Sequence, residues 1–95
     1  MYTLYVTFKC VPGKREEYIE TLKSEGIVDA VRKEDGCIRY DYYFSEKDPD
    51  EVLLIEIWES KEHQQVHINQ PHMARCFELN PDFVISTEFG EFEIK

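Results

Sequence analysis

The segment Glu51 to Glu59 constrains the chain more than any other. Val52-Leu53-Leu54-Ile55, followed by Ile57-Trp58, is a β-prone run with apolar side chains on both faces. A sheet with one face in water would instead alternate apolar and polar residues. Such a strand needs two covers. A chain of 95 residues lies at the small end of single-domain size and buries only a limited share of its apolar surface alone. Residues 1–95 are therefore read as one domain with one core, and the chain's own helices are expected on one sheet face. The economical cover for the other face is a second copy of the same sheet, because buried apolar area is worth about 25 cal/mol per Å². A face-to-face homodimer is the expectation.

The remaining elements follow from periodicity and punctuation. Tyr2 to Cys10 sets Tyr2, Leu4, Val6 and Phe8 in period two and stops at Pro12-Gly13, which predicts a first strand. From Lys14 the spacing turns helical, with Tyr18, Ile19 and Leu22, then Ile27, Val28 and Val31, and with Gly36 as the stop. Ser24-Glu25-Gly26 interrupts that pattern as a kink or a split. Cys37 to Ser45 is a tyrosine-rich second strand, and Glu46 to Asp50 is a turn that pairs it with the third as a hairpin. Ser60 caps a short helix carrying His63, Val66 and His67, Pro71 ends that helix or opens the next turn, and Met73 to Leu79 continues helically. After Asn80-Pro81, the alternation Phe83, Ile85, Thr87, Phe89 predicts a last strand running to the C-terminus. This order, strand, helix, strand, strand, helix, strand, is that of an α+β ferredoxin-like sandwich with both helices on one face of an antiparallel sheet.

Charge and cysteines narrow the function. Twenty acidic against eleven basic side chains give a net charge of -9, spread along the chain. Phosphate binding requires a clustered basic surface, so a nucleic-acid partner is not expected, and an anionic membrane would repel the chain. Cys10, Cys37 and Cys76 are odd in number and widely spaced; they read as reduced thiols, not as a disulfide framework or a zinc motif. The first ten residues lack the pattern of a signal peptide, and no segment is long and apolar enough to span a bilayer. A cytoplasmic location is expected.

His63, His67 and His72 fall within ten residues. His63 and His67, four apart, share a helical face. Imidazoles titrate near neutrality and can supply a base and a donor to one cavity. Glu56, Glu59 and Cys76 complete no recognised ligand pattern with them, so no metal is expected. Trp58 shares a strand face with Glu56, Leu54 and Val52. A carboxylate among those neighbours is either paired, with Arg39 of the adjacent strand as the candidate partner, or has its pKa raised for chemistry. Tyr40, Tyr42 and Phe44 lie on one face of the second strand, and either tyrosine can offer its hydroxyl to a substrate oxygen. No glycine-rich phosphate loop, nucleophile elbow or paired-cysteine motif is present.

Ile55-Glu56-Ile57-Trp58-Glu59-Ser60, then His63, His67 and Pro71-His72-Met73, together with Pro12-Gly13 and Lys33-Glu34-Asp35-Gly36-Cys37 with Tyr40, resemble the antibiotic biosynthesis monooxygenase family, and within it the bacterial quinol monooxygenases. The resemblance implies a dimeric α+β barrel with a pocket between sheet and helices in each subunit. It also implies an activity: a small electron-rich aromatic such as a quinol or polyphenol is deprotonated and its anion reduces O₂ without a cofactor. On that reading His67 is the first choice of base with His72 as alternative, Trp58 is pocket wall, and Tyr40 or Tyr42 is the donor. Tyr42, Glu56, His63 and Met73 are expected to contact substrate. Haem-degrading members carry an asparagine on the first strand where this chain has Val6 or Thr7, and a late histidine where it has Phe77 to Leu79, so haem is not expected. Isomerisation of a phosphorylated signalling sugar is the alternative activity, although the histidine that relatives of that kind carry near Glu25 is missing. A non-catalytic small-molecule-binding dimer is another.

Overall fold

A computed structural model describes residues 1–93. It contains β1 (Tyr2–Cys10), α1 (Arg15–Ser24), α2 (Ile27–Arg32), β2 (Cys37–Phe44), β3 (Glu51–Trp58), α3 (Lys61–His67), α4 (Pro71–Phe83) and β4 (Val84–Glu91). The strands form one sheet in the order β2-β3-β1-β4, with every neighbour antiparallel. This is the expected ferredoxin-like α+β arrangement, with β3 central where its apolar residues have most to cover them.

Period two sorts the sheet. Leu4 and Phe8 of β1, Tyr40 of β2, and Val52, Leu54 and Trp58 of β3 are buried against Tyr18, Leu22, Val28 and Val31 of α1 and α2 and against Met73, Cys76, Leu79 and Phe83 of α4. The opposite face carries Leu53 and Ile55, both half-buried, beside Tyr5 and Tyr43, which are 38% and 40% exposed. Among the described residues, the helix side chains of the core pack with the inner-face residues and not with those four.

The interruption at Ser24-Glu25-Gly26 is a full split. Gly26 takes φ +76° and separates α1 from α2. Gly36, before β2, is required twice over: its φ is +81°, and a Cβ there would lie 2.3 Å from the His63 ring. Ser60 Oγ accepts from the His63 backbone N–H at 3.2 Å, capping α3.

Two expectations about the C-terminal part need correction. Asn80-Pro81 does not end α4, which runs through Pro81 to Phe83. Leu79 and Phe83, one turn apart, are both buried in the core, and that packing holds the last turn although Pro81 supplies no N–H. Phe83 therefore belongs to the helix. In β4, Val84 pairs with Cys10 and Ser86 with Lys9, so Ile85 is the extra residue of a bulge and is exposed. The strand ends at Glu91; Ile94 and Lys95, included in the expected strand, lie outside the described residues.

Candidate active site

A cavity of about 530 Å³ lies between the inner sheet face and helices α3 and α4. Its floor is Tyr2, Leu4, Val6 and Phe8, with Leu54 and Glu56 alongside. Tyr40 and Tyr42 close one side, α3 contributes Gln64 and His67, and α4 contributes Met73, Cys76 and Asn80. Ile68, Phe77 and Phe89 also line it and are exposed, so they form an apolar rim. Apolar and aromatic walls with a few convergent polar groups are what a small-molecule site requires.

His67, the last residue of α3, is 2% exposed. Its Nδ1 lies 2.9 Å from Glu34 Oε2, and the same oxygen lies 2.7 Å from His72 Nε2. With Nδ1–H donating to the carboxylate, Nε2 of the neutral ring keeps its lone pair, 3.9 Å from Glu56 Oε1. Burial pushes the His67 pKa below its ordinary value, the hydrogen bond to Glu34 opposing this, so the ring is neutral and able to accept a proton near pH 7.

Glu56 stands in the sheet between Leu4 of β1 and Tyr40 of β2. Its Oε1 accepts from Trp58 Nε1 at 3.0 Å. Burial raises its pKa to about 7, the Trp58 hydrogen bond lowering it and the nearby Glu34 charge raising it further. The expected bridge to Arg39 does not form. Arg39 opposes Ile57 rather than Glu56, which puts it on the other sheet face, where it donates to Asp41 at 3.1 Å. Burial also raises the phenol of Tyr40, which stays a hydrogen-bond donor at neutral pH. The Cys76 thiol is pushed up to about 11 by burial and stays protonated.

The structure brings His67, Tyr40, Tyr42, Glu56 and Met73 together on the cavity wall, and it places the other three elsewhere. Trp58 is fully buried and stacks behind His67, ring centroids 4.6 Å apart and planes tilted 33°. It supports the imidazole and is not a wall. His72 stands on the far side of Glu34, half-buried. His63 lines a separate small hollow with Glu34, Asp35, Val66 and Gln70; its Nδ1 lies 2.6 Å from Ser60 Oγ and its Nε2 3.3 Å from Asp35. The shared helical face of His63 and His67 is thus divided by the Glu34-Asp35 turn, which offers one carboxylate to each ring. Among the described residues, His67 alone of the three imidazoles reaches the cavity.

Glu34 was not singled out from the sequence for any role at the site, and neither was Gln64. Glu34 lies 33 residues from His67 and 38 from His72, and no local spacing links them. Gln64 is one helical turn before His67, and that i, i+3 relation to a candidate base was the available signal. Glu34, His67 and His72 present one oxygen and two nitrogens within 4.8 Å of one another. A divalent ion could use such a set, yet the 2.7 and 2.9 Å spacings are those of hydrogen bonds.

The comparisons with known proteins agree with this architecture. In an alignment of 81 positions that covers 77% of this chain, it is 31% identical to an Escherichia coli protein named "Probable quinol monooxygenase YgiN", of which it covers 78%. It is 30% identical over 76 residues, 80% of its length, to an uncharacterised Synechocystis protein, and spans about half the length of that relative. The crystal structure of a Pseudomonas aeruginosa protein superposes with a TM-score of 0.86 over 99% of this chain and 93% of that one, at 24% identity, a likeness of fold. The model of the antibiotic biosynthesis monooxygenase family matches residues 1–79, and the chain belongs to that family.

Proposed function

We infer that this chain is a cofactor-independent monooxygenase that oxidises a small electron-rich aromatic, of the quinol or polyphenol class, with O₂. The carrying observation is the setting of His67: buried, neutral, held at Nδ1 by Glu34, lining an aromatic-walled cavity and with Nε2 3.9 Å from Glu56, which lines the same cavity. His67 takes the substrate's hydroxyl proton, and the resulting anion is electron-rich enough to reduce O₂ directly. Tyr40 or Tyr42 donates to a substrate oxygen, and the apolar wall keeps water from the anion. Name and fold alone would not carry the reaction, because relatives of one fold often differ in chemistry.

The alternative, isomerisation of a phosphorylated sugar, fits this cavity less well. The described residues lining it include no lysine or arginine, and a phosphate held without a cation would be costly in so apolar a site. The homodimer belongs to the same proposal: Leu53, Ile55, Tyr5 and Tyr43 form the apolar face that a second sheet would cover. A stable monomer in sedimentation at micromolar concentration would refute that part.

Oxygen uptake with a panel of quinols and phenols tests the activity. His67→Ala is expected to lower turnover by about 10²-fold or more, as loss of a positioned base does. Saturable binding with no oxygen uptake by the unaltered protein would mark a binding module, and uptake unchanged in the variant would remove His67 from the chemistry.

A further inference from the structure

Oxygenating a phenol needs more than a base. The substrate hydroxyl must lose a proton, and the distal oxygen of the peroxide that forms next must gain one before the O–O bond can break. His67 answers the first need. The second calls for a protonated group on the same stretch of wall.

Glu56 has the required position. Its side chain lines the cavity, its Oε1 lies 3.9 Å from His67 Nε2, and both groups can therefore reach one substrate molecule. The Trp58 indole holds the carboxyl in place through Oε1. We propose that Glu56 is the general acid of the oxygenation, handing its carboxyl proton to the peroxide that forms when the substrate anion combines with O₂. This role rests on the monooxygenase reading above.

The steps balance. His67 Nε2 takes the hydroxyl proton of a phenol that carries hydrogen on its reacting ring carbon. The anion gives one electron to O₂, and the radical pair joins through a new C–O bond, leaving a ketone and a peroxide anion. Glu56 protonates the distal oxygen. The Glu56 carboxylate then removes the ring-carbon proton; the C–H electron pair becomes the second C=O as the O–O bond breaks and hydroxide leaves. Hydroxide takes the proton stored on His67. The sum is phenol plus O₂ to quinone plus water, with Glu56 protonated and His67 neutral again.

The surroundings keep a proton on Glu56 near neutrality. Tyr2 faces it from β1, Tyr40, Tyr42 and Cys37 from β2, and His67 from α3. From α4, Cys76 lines the same cavity and His72 reaches Glu34 at 2.7 Å. Glu34 is the charged neighbour that raises the Glu56 pKa, and burial raises it more, to about 7.

Glu56→Gln tests the role, since the amide oxygen can still accept from Trp58 but the side chain has no acidic proton. Under anaerobic conditions the variant is expected to bind a chromophoric phenol and convert it to the anion as the unaltered protein does. On admitting O₂, turnover is expected to fall about 10²-fold or more. The unaltered protein should lose activity as pH rises through about 7, and the variant should lack that alkaline limb. Infrared difference spectra should show a carboxyl band titrating in the same range, absent from Glu56→Gln. Turnover within threefold of the unaltered protein with the alkaline limb intact would overturn the acid role while leaving the monooxygenase reading standing. Failure of the variant to form the bound anion would also overturn it, placing Glu56 before the oxygen step. No oxygen uptake by the unaltered protein with any phenol would remove both the reading and the role.

Discussion

The Trp58 indole donates to Glu56 Oε1 at 3.0 Å, so a tryptophan outside the cavity partly offsets the rise that burial gives the pKa of a carboxyl inside it. Trp58→Phe keeps most of the ring that backs His67 and removes the donor. Because that bond lowers the Glu56 pKa, its loss should move the carboxyl further up, and the alkaline limb of activity should shift to higher pH. Leaving the buried oxygen without its partner is expected to cost about 1–3 kcal/mol in denaturant unfolding. An unmoved pH profile would separate Trp58 from Glu56 ionisation.

The same carboxyl should shape the stability curve. Its folded pKa of about 7 lies above the unfolded value of 4.5, so the folded state holds the proton more tightly. Its contribution is fully present below pH 4.5 and is lost as pH rises through about 7, by roughly 3 kcal/mol in all at 1.36 kcal/mol per unit. His67 acts in the opposite sense: its folded pKa is depressed, so its contribution grows as pH rises toward 6.5. Comparing Glu56→Gln with the unaltered protein at several pH values isolates the carboxyl. The variant should gain relative stability from pH 5 to pH 8; a constant difference would show that Glu56 does not titrate in that window.

Glu34→Gln should act on both working groups through one atom. Replacing the carboxylate by an amide leaves an acceptor for Nδ1–H but removes the negative charge that helps raise the His67 pKa, so the imidazole becomes less basic. Removing the same charge lets Glu56 move down. The His67 ring titration followed by NMR should shift to lower pH, and turnover should fall by about 10²-fold, the lower end of what a positioned base supplies. An unchanged His67 titration would reduce Glu34 to a packing residue.

Gly36→Ala tests the turn that delivers Glu34. The added methyl would meet the His63 ring at 2.3 Å, and the backbone is held at φ +81°, so a loss of about 1–3 kcal/mol is expected in chemical denaturation. Adding His63→Ala should recover only the part due to the clash, since the backbone angle remains unfavourable for alanine. Full recovery in the double variant would mean that the backbone angle costs nothing.

Element types and their order were legible in the sequence because each rests on local spacing: period two in Tyr2 to Cys10, helical spacing from Tyr18 to Val31, Gly26 and Gly36 as stops, Ser60 as a cap. The facing of Glu56 and Trp58 toward one side of β3 followed from strand alternation, whereas the placing of Tyr40 beside Glu56 did not. Register was not legible, and it decided that Arg39 opposes Ile57 and lies across the sheet from Glu56. The end of α4 was misplaced because tertiary packing of Leu79 and Phe83 outweighs the local signal of Pro81. Above all, the sequence offered three clustered histidines with no ranking from geometry. The fold ranks them by bringing Glu34 from before β2 to the end of α3, so that one carboxylate oxygen turns His67 toward the cavity and holds His72 behind it. Local pattern determines which elements form; which distant side chains share a hydrogen bond is decided only when the sheet and helices pack.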